Sequence, residues 1–567
     1  MATKMVITMM VYHPLLLAIT ILSLLHSFAC AVNQSSKCLA LKDDLNLENT
    51  TILDVAYIAS PMNVSTAGSC QSSALVSAAP LCRVYLVINT TATSAVRAEA
   101  WLPDTWYGRF IGLGNGGLSG CTLFLVLLFY GIEYADLDYT TSLHFAAIAS
   151  DNGHDGESGL PFLNQPEIIN DFAFRAIHAE AVVGKQLVQA YYGHSASKSY
   201  FSGCSTGGRQ ATQAALRFPA DFDGILAGAP ATDFNHLGGW IGILGHYIGA
   251  TNPDSVVNTS ASFIPPELWN AVSAEILRQC DALDGVLDGI ITEPDDCDFQ
   301  IDSIRCEANA TAGCASAAQA DALQKIYTPL LDGSGRLIYP RYTPGAEADV
   351  DAAIVFGGTF SSLTADWERY AVLNVTEHDF CEFQRARCRV ASRHQSWWGG
   401  NVRRRLVCIP LAGWQVYFVS RSKRSCVSHI LPSLPVSLSS RFVFSFYPLI
   451  SSTNSKRVYD LIAQTLDLAP APATGPDGMD AFYRLFLVPG MGHCGGGLGP
   501  TLFGQGVFSG TNSVNDSAHN VLLALVEWVE DEVEPAVIVG SGDGEERAFC
   551  RYPIRSVWNG TVFVCEE

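Results

Sequence analysis

The string Ser199-Tyr200-Phe201-Ser202-Gly203-Cys204-Ser205-Thr206-Gly207-Gly208-Arg209 limits the fold more than any other part of the chain. A strand-like run enters it, Gly203-x-Ser205-x-Gly207 forms its centre, and helical spacing runs from Gly208 to Arg217. A serine on a tight strand-to-helix turn stands exposed, and the flanking glycines allow both the strained backbone and the close approach of neighbouring elements. The next backbone N–H, that of Thr206, then points with the helix N-terminus at any oxygen on which negative charge develops. Ser205 is therefore a candidate nucleophile and Thr206 a candidate oxyanion donor. Gly-x-Ser-x-Gly alone arises by chance in chains rich in glycine and serine; here the strand before it and the helix after it supply the required context.

The surrounding pattern predicts an α/β fold with a parallel sheet. Strands are expected at Val84–Asn89, near Phe110, at Phe145–Ala149, Ser199–Gly203 and Gly224–Ala229, with helical spacing over Ile168–Tyr192. Residues 232–380 break this rhythm and read as an inserted lid. Sheet character returns at Ala481–Val488, followed by a helix at Ala518–Glu530. The expected organisation is a segment 1–31 that is removed, a sheet domain over 32–231 and 447–567, the lid over 232–380, and an anomalous segment over 381–446. With 567 residues, and roughly 150 residues per domain, the chain has room for two to four domains.

A serine nucleophile needs a base. His493 lies late in the chain, in Val488-Pro489-Gly490-Met491-Gly492-His493-Cys494, after a strand-like run. A glycine-flanked histidine reaches across a cleft, although a purely structural one is flanked in the same way. The cysteines separate these readings: Cys204 precedes the serine and Cys494 follows the histidine. A bond between them would hold their Cα atoms within roughly 4.4–6.8 Å. It would clamp base beside nucleophile although the two lie 288 residues apart.

Gly-Cys-Ser-Thr-Gly-Gly together with Gly-His-Cys resembles the tannase/feruloyl esterase family of secreted fungal esterases, with likeness running from about Cys38 to Cys565. The resemblance implies an α/β-hydrolase-like sheet domain with a large inserted lid, and a triad braced by a disulfide between the neighbours of serine and histidine. It implies cleavage of phenolic acid esters, feruloyl or galloyl, on plant polysaccharide or tannin. Gly114-Asn115-Gly116-Gly117 and Asn152-Gly153-His154-Asp155-Gly156 also match; Gly116 is placed on the oxyanion side, with a structural glycine turn as the alternative. Further disulfides implied by the resemblance are Cys38–Cys82, Cys70–Cys121, Cys280–Cys297, Cys306–Cys314 and Cys550–Cys565.

The family implies a structural calcium ion and no organic cofactor. The matching loop is Cys280-Asp281-Ala282-Leu283-Asp284-Gly285-Val286-Leu287-Asp288-Gly289-Ile290. Calcium takes six to eight hard oxygen ligands. Asp281, Asp284 and Asp288 offer carboxylates, and Val286 and Ile290 offer carbonyls; a solvated acidic loop is the plainer reading.

The third triad member departs from the pattern. The family carries an aspartate in a motif like Gly-Trp-x-Asp-Pro-Leu-Ile. Here Gly413-Trp414-Gln415 resembles its start and Tyr447-Pro448-Leu449-Ile450 its end, with Tyr447 at the acid position. Asp460 and Asp467 follow on and near a predicted helix, Ser455–Leu466, where solvated-face roles are expected. Cys381–Phe446 holds 11 of the 34 basic residues and one of the 55 acidic ones. A basic loop for an acidic surface is one reading; a frame error or retained intron is the favoured one. The cysteines of that segment, Cys381, Cys388, Cys408 and Cys426, fit no common zinc spacing. A triad lacking its acid loses roughly 10⁴ in kcat, so a non-catalytic binding glycoprotein is the alternative to an esterase. A serine peptidase would share the same triad.

Charge and cysteine content set the surroundings. Net charge −21 disfavours nucleic acid as a partner. Lys4, an apolar run around Leu15–Leu25 and Ala29-Cys30-Ala31 read as a signal peptide, and cleavage would leave 16 of the 17 cysteines. Sequons at Asn33, Asn49, Asn63, Asn89, Asn258, Asn309, Asn374, Asn515 and Asn559 agree with a secreted, disulfide-bonded glycoprotein. The apolar run Leu123–Tyr130 is too short to span a bilayer.

Overall fold

The computed structural model describes residues 34–378 apart from gaps at 67–72, 77–78, 119–121, 125–126, 130–131, 157, 255, 308–312 and 348–351, together with 380, 440–445, 450–466, 468, 478–506, 516–542 and 544–566. Its main sheet comprises β1 (Thr50–Ile58), β2 (Leu81–Asn89), β3 (Ala95–Pro103), β4 (Arg109–Leu113), β5 (Phe145–Ser150), β6 (Lys198–Cys204), β7 (Gly224–Gly228), β8 (Ser440–Ser445) and β9 (Tyr483–Leu487). The spatial order is β1-β2-β3-β5-β4-β6-β7-β8-β9. β1, β2, β3 and β5 pair antiparallel in turn. From β5 onward every neighbour is parallel. Parallel neighbours need crossovers, and α1 (Ala176–Tyr192) and α2 (Thr206–Arg217) supply two of them. This mixed sheet is the α/β-hydrolase-like architecture expected from the sequence.

Both faces of the sheet are covered, so strand residues alternate between two cores rather than between core and solvent. Phe110, Ile148, Phe201, Ile225 and Leu485 pack on the α1 side with Ile177, Ala181, Leu187 and Val188. Ile111, Ala147, Tyr200, Leu226 and Phe486 pack on the opposite side. That face is covered by α7 (Val521–Asp531) through Leu522, Leu525 and Trp528, with an N-cap at Asn520 whose side chain accepts from the Leu522 and Leu523 N–H groups.

The helix predicted over Ile168–Tyr192 is interrupted. A short helix, Pro166–Asn170, passes through a π-helical turn at Asp171–Arg175 before α1 begins. The reason is a buried carboxylate: Asp171 accepts from Thr90 Oγ1 at 2.8 Å, from Arg175 Nε at 2.5 Å and from the Ser94 hydroxyl. The wider turn keeps this polar cluster inside without leaving it unpaired.

The insertion after β7 carries α3 (Phe234–Tyr247), α4 (Pro266–Cys280) and α5 (Ala317–Ile326). α5 starts with a capping box between Ser316 and Gln319. Trp240 packs on Tyr339 with ring centroids 4.8 Å apart, and Trp269 on Phe356 at 4.5 Å. These side chains join Tyr200, Leu226 and Phe486 of the sheet in one continuous core.

β8 revises the expected boundary. It lies inside 381–446, the segment set apart on composition, and the sheet therefore resumes before residue 447. Gly224–Gly228 pairs with Ser440–Phe444, and Arg441–Ser445 pairs with Tyr483–Leu487. Ser-Arg-Phe-Val-Phe-Ser combines aromatic and β-branched residues, which fits a pleated strand; the charge bias of the longer segment hides this local pattern.

The expected disulfides Cys38–Cys82, Cys204–Cys494, Cys280–Cys297, Cys306–Cys314 and Cys550–Cys565 are formed. Cys70, Cys121 and the leader 1–31 lie outside the described residues. Thr122–Phe124 and Leu127–Phe129, within the second apolar run, form a two-stranded hairpin. Among the described residues no helix is long and apolar enough to cross a membrane.

α2 lies so close to β7 that a Cβ on Gly208 would fall 2.2 Å from the Gly228 carbonyl oxygen and 2.7 Å from Pro230 Cα. Both obstacles are backbone and have little room to yield. Gly208→Ala is expected to destabilise the fold by about 3 kcal/mol or more, read as a lowered denaturation midpoint; an unchanged midpoint would refute this packing.

Candidate active site

Ser205 occupies the turn between β6 and α2 with φ +62° and ψ −116°. A non-glycine residue held there stores about 1–3 kcal/mol of backbone strain. Three hydrogen bonds fix it: Ser205 N donates to Gly228 O at 3.0 Å, and Ser205 O accepts from Arg209 N and Ala231 N, each at 3.0 Å. The turn closes tightly, since a Cβ on Gly203 would lie 2.8 Å from Gly207 Cα. Ser205 is 8% exposed. The peptide after it opens a 12-residue helix, leaving the Thr206 N–H among the first-turn donors that have no intrahelical acceptor.

The Gly114–Gly117 loop leaves β4 directly beside this turn. A Cβ on Gly114 would lie 2.6 Å from Gly207 Cα. Gly114 N donates to Ser202 O at 2.8 Å, and Thr206 Oγ1 donates to Gly117 O at 2.5 Å. Gly116 thus belongs to a loop tied at both ends to the nucleophile turn. Sequence reasoning missed the side chains that hold it. Asn115 and Gln210, both buried, exchange two hydrogen bonds of 2.8 Å. The available signal was a glutamine among the small residues Gly207, Gly208, Ala211 and Ala214 on the buried side of α2.

His493 lies in the loop after β9 and is 4% exposed. That loop folds back on itself: Gly492 N donates to Gly496 O at 2.9 Å, and Leu498 N to Gly490 O at 2.7 Å. The Cys204–Cys494 bridge joins it to the end of β6 with Cα atoms 5.9 Å apart. The candidate nucleophile and candidate base therefore flank one covalent bond from opposite sides. A cavity of about 50 Å³ lies against this bridge, lined by Ser202, Cys204, Gly228, Met491, Cys494 and Gln505 among others.

The matched Asn152–Gly156 stretch is buried at Asn152, Gly153 and His154 and exposed at Asp155. Asp151 accepts from the Arg97 N–H at 3.0 Å and the Gly153 N–H at 2.9 Å, while burial pushes its carboxyl up to about 7. Burial pushes His154 down to about 4, so its ring is neutral, packed 4.8 Å from Phe162. Asp460 sits on α6 (Ser452–Leu466), where Tyr552 Oη approaches its carboxylate at 3.4 Å. Asp467 and Tyr447 lie outside the described residues.

In the acidic loop each carboxylate accepts backbone N–H groups: Asp281 from Gly289, Asp284 from Val286 and Asp288 from Ile290, at 3.0–3.2 Å. Gly285 and Gly289 take positive φ, +93° and +78°. Burial raises the Asp288 carboxyl; the Ile290 N–H and Arg547 oppose the shift, and Asp284 and Asp281 add to it. Among the described residues, no three histidine, cysteine or carboxylate side chains converge on a metal-sized point.

Cleaving the bridge tests its part in alignment. The double variant Cys204→Ser/Cys494→Ser is expected to lose about 10²-fold in kcat/KM for acyl-ester turnover, since a displacement near 1 Å between reacting groups has that effect. It also loses about 5 kcal/mol of stability under the chain-entropy account of so long a loop. Turnover equal to that of the bridged chain, measured well below the unfolding midpoint, would show that alignment does not depend on the bond.

Comparison with known proteins places this geometry in a family. A family model described as tannase and feruloyl esterase matches residues 82–392 and 448–566, breaking across the basic segment. A probable feruloyl esterase B-2 of Aspergillus terreus is 35% identical over 543 residues, spanning 93% of each chain. A probable feruloyl esterase B of Aspergillus clavatus is 36% identical over 538 residues, again 93% of each. The crystal structure of feruloyl esterase B from Aspergillus oryzae superposes with a TM-score of 0.79 at 31% identity, covering 94% of this chain and 100% of that one. Tannin acyl hydrolase from Aspergillus niger shares the fold, with a TM-score of 0.63 at 20% identity. The chain belongs to the tannase and feruloyl esterase family of carboxylic ester hydrolases.

Proposed function

We propose that this chain is a secreted serine esterase acting on phenolic acid esters, feruloyl or galloyl, of plant polysaccharide or tannin. Ser205 Oγ attacks the ester carbonyl carbon. His493 takes the hydroxyl proton and returns it to the alcohol oxygen as the acyl–oxygen bond breaks. The Thr206 N–H and the Gly114–Gly117 loop face the developing oxyanion. Water then attacks the acyl-enzyme with the same histidine as base. The observation that carries this reading is the bridge holding the neighbours of Ser205 and His493 at 5.9 Å between Cα atoms. The feruloyl class is supported by the relatives' names and their identity over nearly the whole chain.

Secretion is supported by the five disulfides among the described residues, since such bonds persist in oxidising compartments. The sequon asparagines that are described, Asn49, Asn63, Asn89, Asn258, Asn374 and Asn559, are all exposed.

A second reading is favoured by Tyr447 at the position of the triad acid: a chain impaired in turnover that retains ligand binding. One experiment separates the two. The intact chain is expected to show burst release of a chromogenic alcohol from a phenolic ester, and Ser205→Ala to lose about 10⁴ or more of the rate. Product binding without turnover in the intact chain selects the impaired reading; an unchanged rate in Ser205→Ala rejects the serine mechanism. Sequencing the transcript across codons 375–450 shows whether an acid stands where Tyr447 does.

We further propose that the 281–290 loop holds a structural calcium. Its three carboxylates and the Val286 and Ile290 carbonyls are hard oxygen donors. Burial raises the Asp288 carboxyl and the nearby Asp284 and Asp281 add to the rise, a cost that a divalent cation relieves. When bound, the ion would supply charge neutralisation beyond the end of α4, in a loop whose Ile290 side chain lies against Gly490 of the His493 loop. Chelation is expected to lower the melting temperature by several degrees, with about one calcium per chain recovered by elemental analysis; equal melting curves with and without chelator would exclude the site.

A further inference from the structure

We propose that Gln210 is a positioning residue that sets the oxyanion loop against the nucleophile helix; the inference rests on the reading of Ser205 as nucleophile. An oxyanion site assembled from backbone N–H groups is only as good as the spacing between its donors. One donor, the Thr206 N–H, belongs to α2. Any other from the Gly114–Gly117 loop comes from a different element, the turn after β4. Such a loop, rich in glycine, has no side chains of its own to fix it apart from Asn115, and glycine carries the largest backbone freedom.

The structure joins these two elements at three points. Gln210 Oε1 accepts the Asn115 backbone N–H at 2.8 Å, and Gln210 Nε2 donates to Asn115 Oδ1 at 2.8 Å. Thr206 Oγ1 donates to Gly117 O at 2.5 Å, at the other end of the loop. Asn115 Nδ2 then donates to Ser150 O at 2.6 Å, anchoring the assembly to the end of β5. Gln210 and Asn115 are both buried, so no water replaces either partner cheaply. Gln210 lies one helical turn beyond Thr206 on α2. The side chain that grips the loop and the N–H that starts the helix therefore move as one body. The reciprocal pair also fixes the amide orientation, because only one assignment of oxygen and nitrogen satisfies both bonds.

A purely structural glutamine and a positioning one make different predictions. Gln210→Met keeps length and apolar volume but removes both hydrogen bonds. It is expected to lower kcat for a chromogenic phenolic ester by about 10–100-fold, less than complete loss of an oxyanion donor, with KM within about threefold. Phosphonylation of Ser205 by a fluorophosphonate probe, which also builds charge on an oxygen, is expected to slow by a similar factor. Gln210→Glu provides the rescue. A buried carboxyl is held protonated, and the neutral acid offers one acceptor and one donor in the same pattern. At about pH 5 it is therefore expected to exceed Gln210→Met in both kcat and labelling rate.

Labelling as fast in Gln210→Met as in the unsubstituted chain, in protein with an unchanged circular dichroism spectrum, overturns the inference alone. A loss carried by KM, with weakened binding of the free phenolic acid, also overturns it, since that marks a general disturbance of the pocket. Labelling absent at Ser205 in the unsubstituted chain overturns the serine reading and this inference with it. If Gln210→Met does not fold, Gln210→Glu decides: labelling at pH 5 within about twofold of the unsubstituted chain, falling as the carboxyl ionises, supports the positioning role, and a pH profile parallel to that of the unsubstituted chain refutes it.

Discussion

A single covalent bond does the work that topology makes difficult. β6 and β9 are separated in the sheet by β7 and β8, which at about 4.8 Å per strand puts their axes roughly 14 Å apart. Cys204 ends β6 and Cys494 follows β9, yet their Cα atoms are 5.9 Å apart. The chain after β9 must therefore travel back across the ends of two strands before His493 can stand near Ser205. The parallel ladders join β6 to β9 through β7 and β8, and the loop after β9 lies beyond their ends. The loop carries its own internal bonds, Gly492 to Gly496 and Leu498 to Gly490, which give it shape but not position. The disulfide fixes the loop against β6, one residue from each candidate catalytic side chain, and the buried Met491 packs it into the core.

The strain at Ser205 follows the same logic from the other side. A serine with φ +62° relaxes unless its surroundings over-determine it. Here the carbonyl and N–H of that residue are held by three backbone hydrogen bonds, and glycines at 203, 207 and 208 let β6, α2 and β7 approach within contact of one another. The same closeness that stabilises the turn forbids larger side chains. It explains why the elbow reads so clearly in the sequence: the geometry admits few residue types, and the string spells them out.

Where a local pattern and a global constraint agreed, the sequence was legible. The strands expected at Phe145–Ala149, Ser199–Gly203 and Gly224–Ala229 and the helix expected at Gly208–Arg217 form within two residues of those bounds, because their apolar periodicity is short-range. The π-turn at Asp171–Arg175 was not expected, because its cause is a carboxylate satisfied by Thr90 and Ser94 from a distant loop. β8 was obscured because composition over a long window outweighed a six-residue strand pattern. At the site, Ser205 and His493 were visible through their neighbouring cysteines. Gln210 and Asn115 were invisible as a pair, since an amide–amide bond between residues 95 positions apart leaves no spacing signature. The acidic loop was readable as donor chemistry, but whether carboxylates converge depends on three-dimensional placement that no spacing rule supplies.

The continuity of the apolar core constrains how substrate reaches the site. Lid-like insertions that swing open usually meet their base through a polar, sparsely packed seam. Here Trp240, Ile243, Val272 and Tyr339 of the insertion share one core with Tyr200, Leu226 and Phe486 of the sheet. Separating the two layers would expose large side chains, each costing about 1.5–3 kcal/mol to return to water. A few of them already equal the stability of a typical domain. Rigid-body opening of the whole insertion is therefore too costly to accompany each turnover. Access must come from local rearrangement of loops at the ends of the parallel strands, where Ser205, His493 and the Gly114–Gly117 loop already lie. The insertion shares the core of the sheet that carries the bridge, so the wall it forms and the Cys204–Cys494 bond belong to one packed body.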